Sequence, residues 1–121
     1  MKVAVLGASD NPERYSCQAV QLLKEKGHEV FPVNPKLKEI AGLKVYSSLK
    51  DVPKPFHTLS VYLSKDHSSK LALEILESRP RRVLFNPGAE NPELEATLKK
   101  RGVDALEACT LVLLRTNQFD R

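Results

Sequence analysis

Gly7 directly follows an apolar segment, at a place where a glycine lets a ligand approach the backbone closely. The turn Gly7-Ala8-Ser9 leads into residues 15–26, whose apolar positions have the spacing of an amphipathic helix. The first N–H groups of such a helix are unpaired, and together with the helix dipole they favour a phosphate group. The hydroxyls of Ser9 and Ser16 could add further donors. We interpret the turn as a phosphate-binding site; the alternative is a tight structural turn that requires one small residue.

A lysine stands where many dinucleotide-binding proteins have an acidic residue. The second strand-like segment, Glu29–Val33, is followed by Asn34, Pro35 and Lys36. An acid at this place holds the ribose hydroxyls of NAD, whereas a lysine could pair with a ribose-linked phosphate of about −1.5 to −2 charges. The sequence therefore disfavours NAD and is compatible with NADP or coenzyme A (CoA).

Other chemical signatures are weak or absent in the sequence. Gly-x-Gly-x-x-Gly would need glycines at the places that Ser9 and Pro12 occupy, and no Walker motif is present. Cys109 follows the last strand-like segment and could meet a ligand thiol; packing as a small buried hydrophobe is the alternative. The three histidines have no metal-ligand spacing, and no carboxylate pair is placed for acid–base catalysis.

Short apolar segments alternate with segments of helical periodicity along the whole chain. Strands are predicted at Lys2–Leu6, Glu29–Val33, residues 56–63, Arg82–Phe85 and residues 103–108. Helices are predicted over residues 15–26, over residues 67–77 with Asp66 as their cap, from Asn91 and Pro92 onwards, and over the apolar tail 109–114; a short helical turn is expected near Leu49.

This alternation predicts a single α/β domain with helices on both faces of a parallel, doubly wound sheet of the Rossmann-like kind. We expect five strands in the order 3-2-1-4-5. Ligands bind such sheets beyond the carboxyl ends of the strands, at the switch point. In this order the switch point lies between strands one and four, where Gly7 and Gly88 follow the two flanking strands.

Composition indicates a folded protein of the cytoplasm. The chain has 121 residues, 41% hydrophobic and 28% charged, which excludes a disordered chain. The net charge is +4, from 19 basic and 15 acidic residues, but the basic residues are too scattered for a nucleic-acid-binding tail. We expect neither nucleic acid nor membrane as a partner, since no apolar run is long enough to span a bilayer and no room is left for a signal peptide. Two widely separated cysteines fit a reducing cytosol.

Several short stretches, in combination, resemble one known family. They are Val5-Leu6-Gly7-Ala8-Ser9 with Asn11-Pro12, Val33-Asn34-Pro35-Lys36, residues 40–49, Phe85-Asn86-Pro87-Gly88-Ala89 and Cys109-Thr110. They span essentially the whole chain, and the sequence resembles the small CoA-binding domain family in this order of motifs. It is also similar to the CoA-binding domain at the start of ADP-forming acyl-CoA synthetases and of succinyl-CoA ligase α subunits.

The resemblance implies a role for each matching segment. Gly7, Ala8 and Ser9 would hold the diphosphate of CoA, with support from Arg14 and Ser16. Asn34, Pro35 and Lys36 would lie near the adenosine and its 3′-phosphate, and Asn86, Pro87 and Gly88 would face the pantetheine arm. Two departures stand out: Leu63-Ser64 replaces a basic residue that many relatives carry, and Glu107-Ala108 replaces an Asp-Arg pair.

The expected function is that of a stand-alone protein that holds CoA or an acyl-CoA without catalysis of its own. One alternative is an NAD(P)-binding redox enzyme or sensor, because the fold supports either ligand. Another is a regulatory subunit of a larger ligase, with the apolar tail as a partner surface; a homodimer is also possible. Since the phosphohistidine part of the larger ligases is missing from this sequence, we do not expect a complete synthetase.

Overall fold

The structure, a computed structural model, describes residues 1–120. Its strands are β1 (Lys2–Leu6), β2 (Glu29–Val33), β3 (Glu39–Ile40), β4 (Leu43–Lys44), β5 (Thr58–Val61), β6 (Arg82–Phe85) and β7 (Asp104–Glu107). Its α-helices are α1 (Tyr15–Glu25), α2 (Lys65–Lys70), α3 (Ala72–Ser78), α4 (Pro92–Lys100) and α5 (Thr110–Arg115), and a 3₁₀-helix spans Leu49–Asp51. Strands β2-β1-β5-β6-β7 form a five-stranded parallel sheet, which confirms the predicted fold class.

The two faces of the sheet bury different side chains, because successive residues of a strand point to opposite sides. On one face Val3 and Val5 of β1 belong to a core cluster with side chains of α1 and α5. On the other face Ala4 and Leu6 belong to a cluster with side chains of α3, α4 and the 3₁₀-helix. The domain therefore has three layers, and both faces of β1 are fully covered.

The predicted strand order is wrong at one place. The third predicted strand, β5, lies between β1 and β6 and not beyond β2. Two local features explain this arrangement. All four residues of β5 are fully buried, as a central strand requires. Pro32 has no N–H to donate to a further strand, so β2 suits an edge of the sheet. On the outer side of β2, the Pro32 carbonyl accepts a bond from the Tyr46 N–H (2.9 Å).

When only the five strands of this sheet are counted along the chain, the observed order is 2-1-3-4-5. This order places the switch point elsewhere than predicted. It now lies between β1 and β5, so Gly7 faces the residues that follow β5. Gly88 follows β6, which is separated from β1 by one strand. The expectation that Gly7 and Gly88 flank the same crevice is therefore wrong.

Smaller differences concern helix and strand boundaries. Asp66 does not cap a helix: α2 begins at Lys65 after Ser64, and Asp66 lies in its first turn, where a negative charge suits the helix dipole. The predicted helix over residues 67–77 is two helices that meet at Leu71. The β3–β4 hairpin was not predicted, because its Ala41-Gly42 turn places an alanine at a positive φ of 53°.

Other predictions of local structure are confirmed. Asn91 caps α4, since its side-chain oxygen accepts a bond from the Leu94 N–H (3.2 Å), and Pro92 follows as the first helical residue. A short helix does form near Leu49, and the apolar tail does form a short last helix that packs against α1. Within residues 1–120 no helix has the length and apolar character needed to cross a membrane.

Candidate functional site

The candidate site is a crevice at the carboxyl edge of the sheet, between the ends of β1 and β5. Gly7 follows β1, and Tyr62 and Leu63 follow β5; the Tyr62 N–H donates to the Leu6 carbonyl (2.9 Å). Gly7 has φ +85°, and an added Cβ would lie 2.9 Å from Leu63 Cδ2. The glycine is thus required by the contact between two strand ends, which supports the structural alternative for this residue.

The first two amides of the Gly7 turn are engaged within the protein. The N–H groups of Gly7 and Ala8 both donate to the Val33 carbonyl, at 3.2 and 3.1 Å. They are therefore not free to hold a diphosphate, contrary to the expectation from sequence. Ser9 accepts a bond from the Asn11 N–H at its side-chain oxygen (3.0 Å) and keeps its hydroxyl proton available.

The start of α1 offers open donors instead. Arg14 precedes the helix and makes no side-chain cap bond, and the first turn contains no acidic residue. The N–H groups of Tyr15, Ser16 and Cys17 have no acceptor within the helix. Ser16 is 5% exposed, whereas the Arg14 side chain is exposed. This end of α1 can therefore accept an anion, with Arg14 free to reach it.

Asn34 joins two loops at the same edge. Its side-chain NH₂ donates to the Ala8 carbonyl (2.8 Å), and its side-chain oxygen accepts a bond from the Lys36 N–H (2.8 Å). The Asn34 side chain is therefore a positioning group for the loops after β1 and β2, which leaves little capacity for a ligand. Pro35 and Lys36 are exposed beside it.

Two neighbouring cavities open at this edge. The first, of about 310 Å³, has an almost entirely apolar lining that includes Leu6, Val33, Leu49, Leu63 and Leu71, together with Gly7 and Pro35; its ionisable lining residues are His67, Lys70 and Glu74. The second, of about 520 Å³, shares Pro35 and Ser47 with the first; its charged lining residues are Lys36, Lys38 and Lys44, with one acidic residue, Asp51. An apolar cavity and a basic one thus lie side by side.

Asn86 has a structural role in a buried network. It is 1% exposed; its side-chain NH₂ donates to Ser60 Oγ and to the Val61 carbonyl, both at 2.9 Å, and its oxygen accepts a bond from the Thr110 N–H (2.8 Å). The Ser60 and Thr110 hydroxyls are bonded to each other (2.8 Å). Asn86 therefore ties β5, β6 and α5 together, and its side-chain amide is engaged within the protein.

Pro87 and Gly88 are exposed but lie one strand away from the crevice. Gly88 has φ +90°, and its N–H donates to Glu90 Oε1 (3.0 Å). Neither residue lines one of the two cavities. In the strand order, the end of β5 therefore lies between Gly7 and the segment after β6.

Tyr62 is a site residue that sequence reasoning missed. Its hydroxyl is buried and has no hydrogen-bond partner within residues 1–120. Burial raises the pKa of Tyr62 to about 12, and the nearby hydroxyls of Thr110 and Ser60 oppose part of this rise without reaching bonding geometry. No sequence signal marked it, because Tyr62 fell inside the predicted strand over residues 56–63, whereas β5 ends at Val61.

Cys109 is the residue before α5 and is half-buried. The negative charge of its thiolate form is a lesser cause that also raises the pKa of Tyr62, after burial. The structure thus brings this cysteine to the carboxyl edge, as predicted. Among residues 1–120 no three His, Cys, Asp or Glu side chains are grouped to hold a metal ion.

Comparisons with other sequences identify the family of this chain. Residues 1–115 match the sequence model of the CoA binding domain family. The uncharacterized protein YneT of Bacillus subtilis (strain 168) is 33% identical over 101 residues, which are 84% of this chain and 75% of that protein. The ADP-forming acetate–CoA ligase II subunit alpha of Pyrococcus furiosus is 40% identical over 52 residues; the match spans 42% of this chain and 11% of the subunit.

Solved structures show the same fold over nearly the whole chain. A protein of Thermus thermophilus with 31% identity has a TM-score of 0.89, over 98% of this chain and 90% of that chain. An uncharacterized protein with 36% identity has a TM-score of 0.92, over 98% of this chain and 97% of that chain. With the family's sequence model matched over residues 1–115, the chain belongs to the CoA binding domain family.

Proposed function

We propose that this protein binds CoA or an acyl-CoA at the carboxyl edge of its sheet, across the crevice between β1 and β5. The observation that carries the proposal is the juxtaposition of an apolar cavity, a basic cavity and an open helix N-terminus at that edge. CoA has a matching part for each: an adenine ring, a 3′-phosphate and a diphosphate.

The apolar cavity suits the adenine. Its volume of about 310 Å³ lies at the lower end of the range of about 300–1,000 Å³ for ligand pockets, so it would take one part of a large ligand. Its lining by Pro35, Leu49, Leu63 and Leu71 favours the flat faces of an aromatic ring, whose burial is a favourable contribution to binding. Leu63 occupies the place where many relatives have a basic residue, and here it extends this apolar lining.

The diphosphate would bind at the start of α1. The N–H groups of the first turn supply donors, and Arg14, Ser9 and Ser16 can add a charge and two hydroxyls. The amides of Gly7 and Ala8 contribute indirectly: their bonds to the Val33 carbonyl hold the turn in place.

The 3′-phosphate would bind at the basic cavity, where Lys36, Lys38 and Lys44 meet. Lys44 Nζ lies 5.0 Å from the centroid of the Tyr46 ring, which holds that lysine against the loop. A site of this charge favours CoA over dephospho-CoA and NAD. NADP carries a ribose-linked phosphate too, and it is the competing ligand that a test must include.

The thiol end of the ligand would extend to the other face of the sheet, towards Tyr62 and Cys109. The buried Tyr62 hydroxyl has no hydrogen-bond partner within residues 1–120, so a ligand carbonyl could accept a hydrogen bond from it. Cys109, at the start of α5, would come close to the pantetheine thiol. We assign no reaction to the chain itself.

The proposal is tested by thermal unfolding with CoA, acetyl-CoA, dephospho-CoA, NADP and NAD. A ligand at 100 times its Kd stabilises the folded state by about 2.7 kcal/mol, which for this chain length shifts Tm by about 10 °C. We expect the shift with CoA or acetyl-CoA and a much smaller one with dephospho-CoA. A shift with NADP alone would indicate the redox alternative, and no shift with any of the five would reject the site.

Two variants locate the binding. Lys36→Gln should reduce the preference for CoA over dephospho-CoA, whereas the control Lys50→Gln, an exposed lysine that lines neither cavity, should retain it. Gly7 is unsuitable for this purpose, because a side chain there would disturb the fold itself. Mass spectrometry of the native protein as purified would identify a retained ligand, and co-purification with a ligase-type protein would favour the role of a subunit.

A further inference from the structure

The opposite edge of the sheet, at which the strands begin, carries a row of basic residues. Lys2 opens β1, His57 precedes β5 and Arg81 precedes β6. The His57 N–H donates to the Lys2 carbonyl and the Arg81 N–H donates to the His57 carbonyl, both at 2.9 Å. Because neighbouring strands lie about 4.8 Å apart, the three side chains can reach one small anion together.

These three residues and Arg79 line a single cavity of about 370 Å³. The remaining lining residues are Pro55 and Phe56, so the lining contains no acidic residue. Glu29 and Asp104 begin the two outer strands, β2 and β7, and neither lines the cavity. Among residues 1–120, the basic lining side chains form no salt bridge.

Arg79 occupies a backbone position that usually belongs to another residue type. It ends α3 in the left-handed conformation, with φ +49°. Glycine or asparagine is the usual residue at such a helix end, because a side chain with a Cβ is strained there. The Arg79 side chain at this helix end is exposed.

His57 contacts a hydroxyl that Arg82 also binds. Thr58 Oγ1 accepts a bond from Arg82 Nε (3.0 Å) and lies 2.7 Å from His57 Nδ1 and 3.9 Å from the Met1 sulfur. Burial, and after it the positive charges of Arg82, Arg81 and the N-terminus, lower the pKa of His57.

We propose that Lys2, His57, Arg79 and Arg81 form a second binding site, for a compact oxyanion such as a phosphate group. Two guanidinium groups can donate paired hydrogen bonds to phosphate oxygens, and Lys2 adds a further charge. The site lies at the edge opposite to the proposed CoA site, so the two proposals do not depend on each other.

The test follows the pKa of His57 by NMR of the full chain, with inorganic phosphate added and with sodium chloride at matched ionic strength as the control. Phosphate should raise the pKa of His57 by about half a unit or more. His28 serves as the internal control, because its Nε2 lies 3.5 Å from the Asp120 carboxylate, which repels anions. Glycerol phosphate in a parallel titration shows whether a phosphomonoester or the free ion binds more tightly.

The double variant Arg79→Gln/Arg81→Gln should lose the response. The control Lys50→Gln/Arg101→Gln removes the same charge from two exposed residues outside the cavity and should keep it. Because Arg79 and Arg81 are both exposed, we expect their replacement to leave the Tm of the protein unchanged. An unchanged Tm will show that the variants fold. An equal shift with sodium chloride, an equal shift of His28, or a response that survives in the Arg79→Gln/Arg81→Gln variant would overturn the proposal.

Discussion

Replacing Tyr62 by phenylalanine removes a single oxygen atom that is buried and has no hydrogen-bond partner within residues 1–120. A buried polar group without a partner destabilises the folded state by about 1–3 kcal/mol relative to a bonded one. Phenylalanine fills nearly the same volume and leaves the Ser60–Thr110 bond of 2.8 Å untouched. Tyr62→Phe should therefore increase the free energy of unfolding of the ligand-free protein, by about 1 kcal/mol.

The pH dependence of the free energy of unfolding gives a second measurable effect of Tyr62→Phe. The pKa of Tyr62 is raised from 10.0 to about 12 in the folded protein. Between these values the unfolded chain loses the phenolic proton and the folded chain keeps it, so the stabilisation present below pH 10 decreases as the pH rises. A shift of two units corresponds to about 2.7 kcal/mol, which partial exposure of the ring reduces to about 2 kcal/mol. Tyr62→Phe should not show this part of the decrease in the free energy of unfolding at alkaline pH.

Urea unfolding at pH 7 and between pH 9 and 11.5 measures both effects. Ser60→Ala is the contrasting variant, because it removes a partner of both Asn86 and Thr110 and should destabilise the protein by about 1–3 kcal/mol. A loss of 1 kcal/mol or more in Tyr62→Phe at pH 7 would refute the reasoning, since it would show that the hydroxyl is bonded in the free protein. Under the proposed function, the same variant should bind acyl-CoA more weakly although it is more stable.

Three further predictions concern stability. Asn86→Ala should reduce the free energy of unfolding by about 3–4 kcal/mol in urea titrations, because three buried hydrogen bonds are lost; a loss below 1 kcal/mol would contradict its structural role. Gly7→Ala should destabilise more than Gly88→Ala: both glycines have positive φ, but only at Gly7 would the added Cβ meet side-chain and backbone atoms. Equal decreases in Tm in circular-dichroism melts would show that backbone strain at positive φ, and not the contact of the added Cβ, causes the destabilisation. Burial, followed by the charge of the N-terminus, lowers the pKa of His28, so stability present above pH 6.5 should decrease on acidification, and His28→Gln should flatten this decrease.

Much of the local structure followed from residues close together in sequence. The bounds of β1, β2 and β6 are those predicted, and α1 begins at the predicted residue. Asn91 and Pro92 start α4 as expected. Such features depend on side-chain periodicity and on hydrogen bonds between residues a few positions apart, which the sequence contains in full.

The candidate site could be predicted only in part. Gly7, Pro35 and Lys36 do line the neighbouring cavities, and Cys109 does reach the carboxyl edge. The state of their hydrogen bonds could not be inferred, because the partners are remote in sequence. The amides of Gly7 and Ala8 are bonded to the carbonyl of Val33, and Asn34 uses its side chain on the Ala8 carbonyl.

Sequence by itself determined the class of fold, the places of most strands and helices, and the family, because repeated short-range patterns and motif order carry that information. Only the tertiary structure decided which strand lies beside β1. Strand order depends on pairing between segments that are distant in the chain, and the burial of β5 and the missing N–H of Pro32 act only through that pairing. With β5 at the centre, Tyr62 follows a strand that flanks β1, and Asn86 becomes a buried structural residue.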